Sequence, residues 1–399
     1  MPSERNHTLA EPRRLVVASL FSGIGGIELG LQSSGHETVF QCELLPPASH
    51  VLSTRFSGVK QANDITTLRS LPSVDMITAG FPCQDLSQAG RSVGIRGENS
   101  SLIDCLFKLV EKKKPRPEWI LLENVPFMLQ LNRGEAIRHI TSEITRLGYR
   151  WAYRIIDARS FGLPQRRRRV IFLASRHHDP KNVLFADETA GEPEFSPFAD
   201  AHGFYWTEGN RGIGWTIDGV PTIKGSSGFS IPSPPAIWHR SQNHICTPDI
   251  RDAERLQGFP INWTMPASQV LERRKEAIRW KLIGNAVSVP VAKWVGRRLA
   301  SMGNYSSHED KECSPNGTWP VAAWGEAGKV FSANLTEWPK RYSYRSLAEF
   351  LRFPTKPLSL RATSGFYARL KASQLRRPFD FDECLAQHIE KMSKQLTTC

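Results

Sequence analysis

Chemistry in this chain is concentrated in a few short stretches. Gly80-Phe81-Pro82-Cys83-Gln84-Asp85-Leu86-Ser87 carries a thiol directly after a proline. Proline fixes its own φ and pushes the preceding residue to an extended conformation, which holds the thiol in one orientation, as a nucleophile needs. A cysteine considered alone reads more readily as a buried structural residue. Glu123-Asn124-Val125-Pro126 places a carboxylate directly after the apolar run Trp119–Leu122. Burying such a group is costly unless it is paired or does chemistry, and the plainer reading is a Glu that emerges into solvent. Gln165-Arg166-Arg167-Arg168-Arg169 offers successive cations. On a strand they alternate, so Arg167 and Arg169 share one face and Arg166 and Arg168 the other. One pair can then enter a site while the other meets phosphates or solvent.

Hydrophobic patterning indicates the elements that must position these groups. Leu15–Phe21 reads as a strand that runs into Ser22-Gly23-Ile24-Gly25-Gly26 and then a helix-like Ile27–Leu31. Strand, glycine loop and helix open a nucleotide-binding βαβ unit, although the spacing departs from the dinucleotide fingerprint. Glycines there let backbone approach a ligand closely. A second strand, Thr38–Cys42, ends at Glu43, whose carboxylate can accept from both hydroxyls of a ribose. A third element ends near Asp64, an acceptor for an adenine amino group or a turn residue. Met76–Ala79 and Trp119–Leu122 read as buried strands that deliver Cys83 and Glu123 to one sheet edge, where open α/β sheets bind ligands. After Cys83, Gly90, Gly94 and Gly97 mark a segment able to close over a substrate. Ser100 or Ser101 caps a helix with Leu102, Ile103, Leu106, Leu109 and Val110 on one face, and Asn285 is placed to cap another from about Val289 to Ala300.

The chain has 399 residues, enough for two or three domains, and a net charge of +13 that favours a polyanionic partner, nucleic acid first. Seven scattered cysteines without C-x-x-C spacing argue against a zinc site or a disulfide framework and suit a reducing cytosol; no metal is expected. Neither an apolar signal region nor a membrane-length apolar run is present. From about Arg176 to His244 regular patterning fails, and Trp206, Trp215, Lys224, Trp238, His239 and Arg240 are interspersed among Gly, Pro and Ser. Such residues suit nucleic-acid contact and a small hydrophobic core equally. The expected organisation is a catalytic and cofactor-binding domain at 1–175, a target-recognition domain at 176–245, a return to the catalytic domain at 246–300, and a C-terminal extension at 301–399, in which Ser301–Pro320 reads as a polar linker and Lys329–Cys399 as an extra packed lobe before an added nucleic-acid contact.

Taken together, the chain resembles the DNA (cytosine-5-)-methyltransferase family from about Leu15 to Ala300, with its motifs in order. Phe21–Gly26 is similar to the family's cofactor loop, Gly80–Ser87 to its Pro-Cys motif, Glu123-Asn124-Val125 to its Glu-Asn-Val motif and Gln165–Arg169 to its Gln-x-Arg-x-Arg motif. Arg255–Pro260 and Gly284–Val287 match two late motifs. The chain departs at Ser19, where the family often has Asp, at Leu86 for Phe, and at Glu98-Asn99-Ser100-Ser101 for an Arg-Ser pair.

The resemblance implies an α/β, doubly wound, mostly parallel Rossmann-like sheet that uses S-adenosyl-L-methionine, with a smaller irregular domain that reads double-stranded DNA. It implies Cys83 as nucleophile, with Glu123, Arg167 and Arg169 as its catalytic companions. Phe21, Ser22, Gly23, Gly25, Gly26, Glu43, Asp64, Pro82, Leu102 and Asn285 would bind the cofactor, and Gln84, Asn124 and Gln165 the substrate. A monomer in a prokaryotic or phage cytoplasm, associated with the nucleoid and accompanied by a cognate restriction endonuclease, is the expected setting. The rivals are a tRNA cytosine-5 methyltransferase, whose Cys-Phe-Thr segment is absent before Leu256-Gln257-Gly258, and a non-catalytic DNA-binding relative.

Overall fold

A computed structural model describes residues 13–82, 102–189, 191–210, 212–225, 233–271, 273–314, 317–326 and 328–397. Cys83 and Gln84, and the glycine-bearing segment after them, lie outside the described residues. Strands β1 (Val16–Leu20), β2 (Glu37–Cys42), β3 (Lys60–Ala62), β4 (Met76–Ala79) and β5 (Trp119–Asn124) pair in parallel, in the order β5-β4-β1-β2-β3. An antiparallel half is built onto β5 by β6 (Arg150–Asp157) and β8 (Arg168–Ser175), with the two-residue β7 (Gln165–Arg166) between them in sequence. The sheet is buried on both sides, as the apolar runs require. Val17, Trp119 and Leu121 face one core cluster, whereas Ala18, Ile120 and Leu122 face the other. That alternation is the period of two expected of a strand.

Helices cover both faces. α1 (Gly26–Gln32) lies on one face against a helix from much later in the chain, while α2 (Pro46–Arg55) joins β2 to β3. α3 (Leu102–Lys112) and α4 (Glu135–Arg146) cover the other face through Ile103, Leu106, Ile137 and Ile140. The late elements are α5 (Ile250–Leu256), α6 (Lys275–Asn285) and α7 (Val289–Ala300), and α7 is the partner of α1. A Cβ on Gly30 would sit 2.5 Å from Ala292 Cβ, so the small residue sets how closely α1 and α7 approach. Asn285 does not cap α7. It ends α6, and Ser288 occupies the N-cap position without a side-chain cap bond. The turn between the two helices takes up residues that sequence patterning assigned to a helix start.

The second sheet contains β9 (Ala201–Phe204), β10 (Thr216–Ile217), β12 (Ala236–His239) and β13 (His244–Thr247), while β11 (Val220–Pro221) pairs in parallel with β7 as a separate two-stranded sheet. The C-terminal hundred residues are not a lobe of their own. β14 (Lys311–Glu312), β15 (Ala322–Glu326) and β16 (Lys329–Ser332) extend the central sheet beyond β6, giving it ten strands. β17 (Lys356–Pro357) then joins β13 as the fifth strand of the second sheet. α8 (Leu360–Lys371) and α9 (Phe379–Thr397) pack beside it, where Phe366 and Phe381 share a core with Phe204 and Trp238. The physical reason is edge protection: each sheet had an open edge and an uncovered apolar face. Trp206, Trp215 and Trp238 belong to that core, so the second of their two sequence readings is the one realised. Among the described residues no helix is long and apolar enough to cross a membrane.

Candidate active site

The site is assembled at the C-terminal ends of the parallel strands. After β1 the backbone turns sharply through positive φ at Phe21 (55°), Gly23 (57°) and Gly25 (84°). Positive φ is rare and strained for a non-glycine residue such as Phe21. Gly25 needs glycine twice over, because a Cβ there would also lie 2.3 Å from the Phe56 ring. At Gly26 the constraint is space alone, with Val287 O only 2.4 Å from the position a Cβ would take. The loop therefore lies directly against the Gly284–Val287 stretch.

Glu43, at the end of β2, holds this loop. Its Oε2 accepts from Gly23 N at 2.8 Å and its Oε1 from Leu45 N at 2.9 Å. Burial pushes its pKa up, and these backbone donors pull the other way. Each carboxylate oxygen keeps a lone pair for a further donor. Asp64, at the end of β3, accepts from Thr66 N and Thr66 Oγ1, both at 2.8 Å. Phe21 and Leu102 pack against the same core cluster.

Glu123 and Arg169 meet because of strand register. β5 and β8 run antiparallel with Glu123 opposite Ile171 and Asn124 opposite Val170. Arg169 lies two residues from Ile171 and so shares a face with Glu123. Arg169 Nε is 3.0 Å from Glu123 Oε1, with the side chains only 13% and 10% exposed. Asn124 turns the other way. It donates from Nδ2 to Phe81 O at 3.0 Å and accepts from Val125 N at 2.8 Å, which fixes the backbone two residues before Cys83.

Arg167 and Gln165 have a different environment from Arg169. Arg167 is 1% exposed and donates to the carbonyls of Ile223 (3.3 Å), Gly284 (3.1 Å) and Ala286 (2.5 Å). Burial, with Arg169 nearby, pushes its pKa down, and the charge of Glu123 opposes that. Gln165 donates to Leu256 O at 2.8 Å and accepts from Ile223 N at 3.0 Å. Both side chains thus hold Ile223 and the late segment against the turn that leads into β8. Arg168 points outward and pairs with Glu337, and Arg166 donates to Gly214 O.

One cavity brings some of these parts together, while Glu43, Asp64, Leu102, Gln165, Arg167 and Arg169 lie outside its lining. It is lined by Phe21, Ser22, Gly23 and Gly26 from the glycine loop, Gly80 and Glu123 from the strand ends, and Asn285, Ala286 and Val287 from the late segment. Glu28 of α1 also lines it. Sequence reading did not single out Glu28, although a signal existed. Glu28 stands four residues after Ile24 and three before Leu31, on the stripe that a helix buries. Open backbone at positive-φ glycines, a ribose-type acceptor at Glu43 and a buried carboxylate without a partner suit a cationic nucleoside ligand such as S-adenosylmethionine.

The family model for C-5 cytosine-specific DNA methylase matches residues 15–202. The Type II methyltransferase M2.BsuMI of Bacillus subtilis (strain 168) is 51% identical over 361 residues, which cover 88% of this chain and 92% of that protein. The chain belongs to the C-5 cytosine-specific DNA methylases. It is also 28% identical to the Type II methyltransferase M.BsuFI of Bacillus subtilis over 71% of each chain. The crystal structure of S. pombe Dnmt2 methyltransferase superposes with a TM-score of 0.50 at 18% identity, covering 72% of this chain and 98% of that one, and shows the shared fold. This DNA cytosine-5 methyltransferase therefore takes its methyl group from S-adenosylmethionine, on a Rossmann-like sheet of the kind the motifs implied.

Proposed function

We propose that the enzyme methylates one cytosine within a specific double-stranded DNA sequence as the modification half of a restriction system, through a covalent adduct of Cys83. The observation that carries this reading is that Glu123, paired with Arg169, lines the same cavity as the glycine loop. It puts an acid for the base and a cradle for the methyl donor on one sheet edge. The Type II names of the relatives support the restriction setting. In that setting the chain acts as a cytoplasmic, nucleoid-associated monomer, and a cognate endonuclease cuts the same site.

Cytosine C5 is a poor nucleophile buried in the base stack, so the base is extruded into the site. The Cys83 thiolate attacks C6; the sulfur–carbon bond forms while the C5–C6 π pair moves onto C5. Glu123 gives or shares a proton at N3, so negative charge does not accumulate on the ring. Arg169 orients that carboxyl and adds a positive field that favours the thiolate. S-adenosylmethionine, when bound, supplies an electrophilic methyl for C5. A base, for which water is adequate, then removes the C5 proton, the returning pair expels Cys83, and the N3 proton goes back to Glu123. Phe21, Glu43 and Asp64 hold the adenosine end, Pro82, Leu102 and Asn285 complete that pocket, and Arg167 and Gln165 act by fixing the walls of the cleft. Residues 176–245, with the C-terminal elements packed on them, select the target sequence.

The test is incubation with tritiated S-adenosylmethionine and either duplex DNA or tRNA. Label is expected in DNA, and bisulfite sequencing of host DNA then yields the target site. Label only in tRNA, or in neither, overturns the reading. Cys83→Ala is expected to abolish transfer while leaving cofactor binding nearly intact.

A further inference from the structure

Glu28 is 1% exposed, and among the described residues neither of its carboxyl oxygens accepts a hydrogen bond. Ser22 Oγ donates to Ser19 Oγ at 3.0 Å, which leaves the Ser19 hydrogen as the neighbouring hydroxyl donor able to turn toward the carboxyl, and among the described residues no cation pairs with that carboxyl. Burial pushes the Glu28 pKa up to about 7, with Glu43 adding to the rise and Ser19 and Ser22 opposing it. A buried carboxyl without a partner is costly, and such groups in a cavity wall mark a site whose partner arrives with the ligand.

Strand order indicates which part of the ligand that is. Glu43 and Asp64 stand at the ends of β2 and β3, on one side of β1. Gly80 and Glu123 stand at the ends of β4 and β5, on the other side, and Glu28 lines the cavity with them. An adenosine held over β2 and β3 leaves its amino-acid arm in the cavity on the β4 side. We propose that Glu28 binds the α-ammonium group of S-adenosylmethionine. The sulfonium is the less suitable partner, because its methyl must stay free to face the base beside Glu123. The inference rests on the cofactor reading given above and adds the residue that neutralises the arm.

Calorimetry on the full chain tests it with S-adenosylmethionine, S-adenosylhomocysteine, which keeps the ammonium but not the sulfonium, and 5′-methylthioadenosine, which has neither. Glu28→Gln is expected to weaken the first two about tenfold each and to leave the third within about twofold, as loss of one charge-assisted contact would. Glu28→Asp should recover part of the loss. Equal weakening of all three would mean that Glu28 only shapes the pocket. Weakening of S-adenosylmethionine alone would assign the sulfonium instead, and no weakening would remove any role; each result overturns the inference. A wild-type chain that binds none of the three would remove the cofactor reading itself, a separate outcome.

Discussion

The cavity has two walls, each with a buried carboxylate, and they differ in what faces the charge. On the β5–β8 wall Glu123 has Arg169 at 3.0 Å, delivered by strand register. On the α1 wall Glu28 forms no ion pair among the described residues and has only the Ser19 and Ser22 hydroxyls near it. A carboxylate whose cation is part of the fold is oriented before substrate arrives, as proton chemistry requires. A carboxylate buried without one lowers the stability of the empty protein and is relieved by a cationic ligand. On the proposed reading the two walls divide the work, one for the base and one for the methyl donor.

The largest test of that division is Glu123→Gln. It should lower methyl transfer to DNA by about 10²- to 10⁴-fold, the usual contribution of a positioned acid or base. Its S-adenosylmethionine affinity, read by calorimetry, should stay within about twofold of wild type, since only the methyl-donor wall binds the arm. A parallel loss of affinity would mean that the walls are not separate. Arg169→Leu makes the two walls alike by removing the cation from Glu123. Urea denaturation should show a loss of about 3 kcal/mol, because breaking a buried pair strands its partner. An unchanged midpoint would place the pair in solvent.

Glu28→Gln should act in the opposite sense on the ligand-free protein. The folded carboxyl holds its proton up to about pH 7 against a reference of 4.5. The folded state thus binds more protons than the unfolded state between those values, and stability falls as pH rises through them. At pH 8 the variant should be more stable than wild type, on the order of 1–3 kcal/mol, with the gain shrinking toward pH 5. Glu43, whose charge adds to the rise at Glu28, is present in both proteins, so the difference reports Glu28 together with its coupling to Glu43. A gain that does not depend on pH would show that Glu28 is solvated. Arg168→Ala is the smallest effect and the control for Arg169. Its pair with Glu337 is about half-exposed, and removal should change stability by under about 1 kcal/mol without affecting transfer.

Motif reading and structure agree best where local pattern carries the information. The buried run before Glu123 requires a strand, and the glycines after Phe21 require a tight loop, whatever surrounds them. Agreement is poorer where two segments compete for one role. Alternation placed Arg167 and Arg169 on one inward face, and both do point inward. Only Arg169 reaches Glu123, because the strand breaks at Arg167 and leaves it beside the carbonyls of Ile223, Gly284 and Ala286. The tryptophans of the second sheet were ambiguous for a related reason. An aromatic ring looks the same in sequence whether it will meet a base or Phe381.

The order of amino acids by itself determined the strand–loop–helix opening, the carboxylate at the end of a buried strand, the family and hence the reaction. These follow from short-range periodicity and from side-chain chemistry, which a linear string carries in full. Tertiary structure alone decided which arginine neutralises Glu123, that Glu28 is enclosed without an ion pair among the described residues, and that the C-terminal residues complete two sheets rather than form a lobe. Each of those depends on how distant segments align. The register of β5 on β8 or the seating of α7 on α1 is set by the packing of whole faces, which the local pattern does not encode.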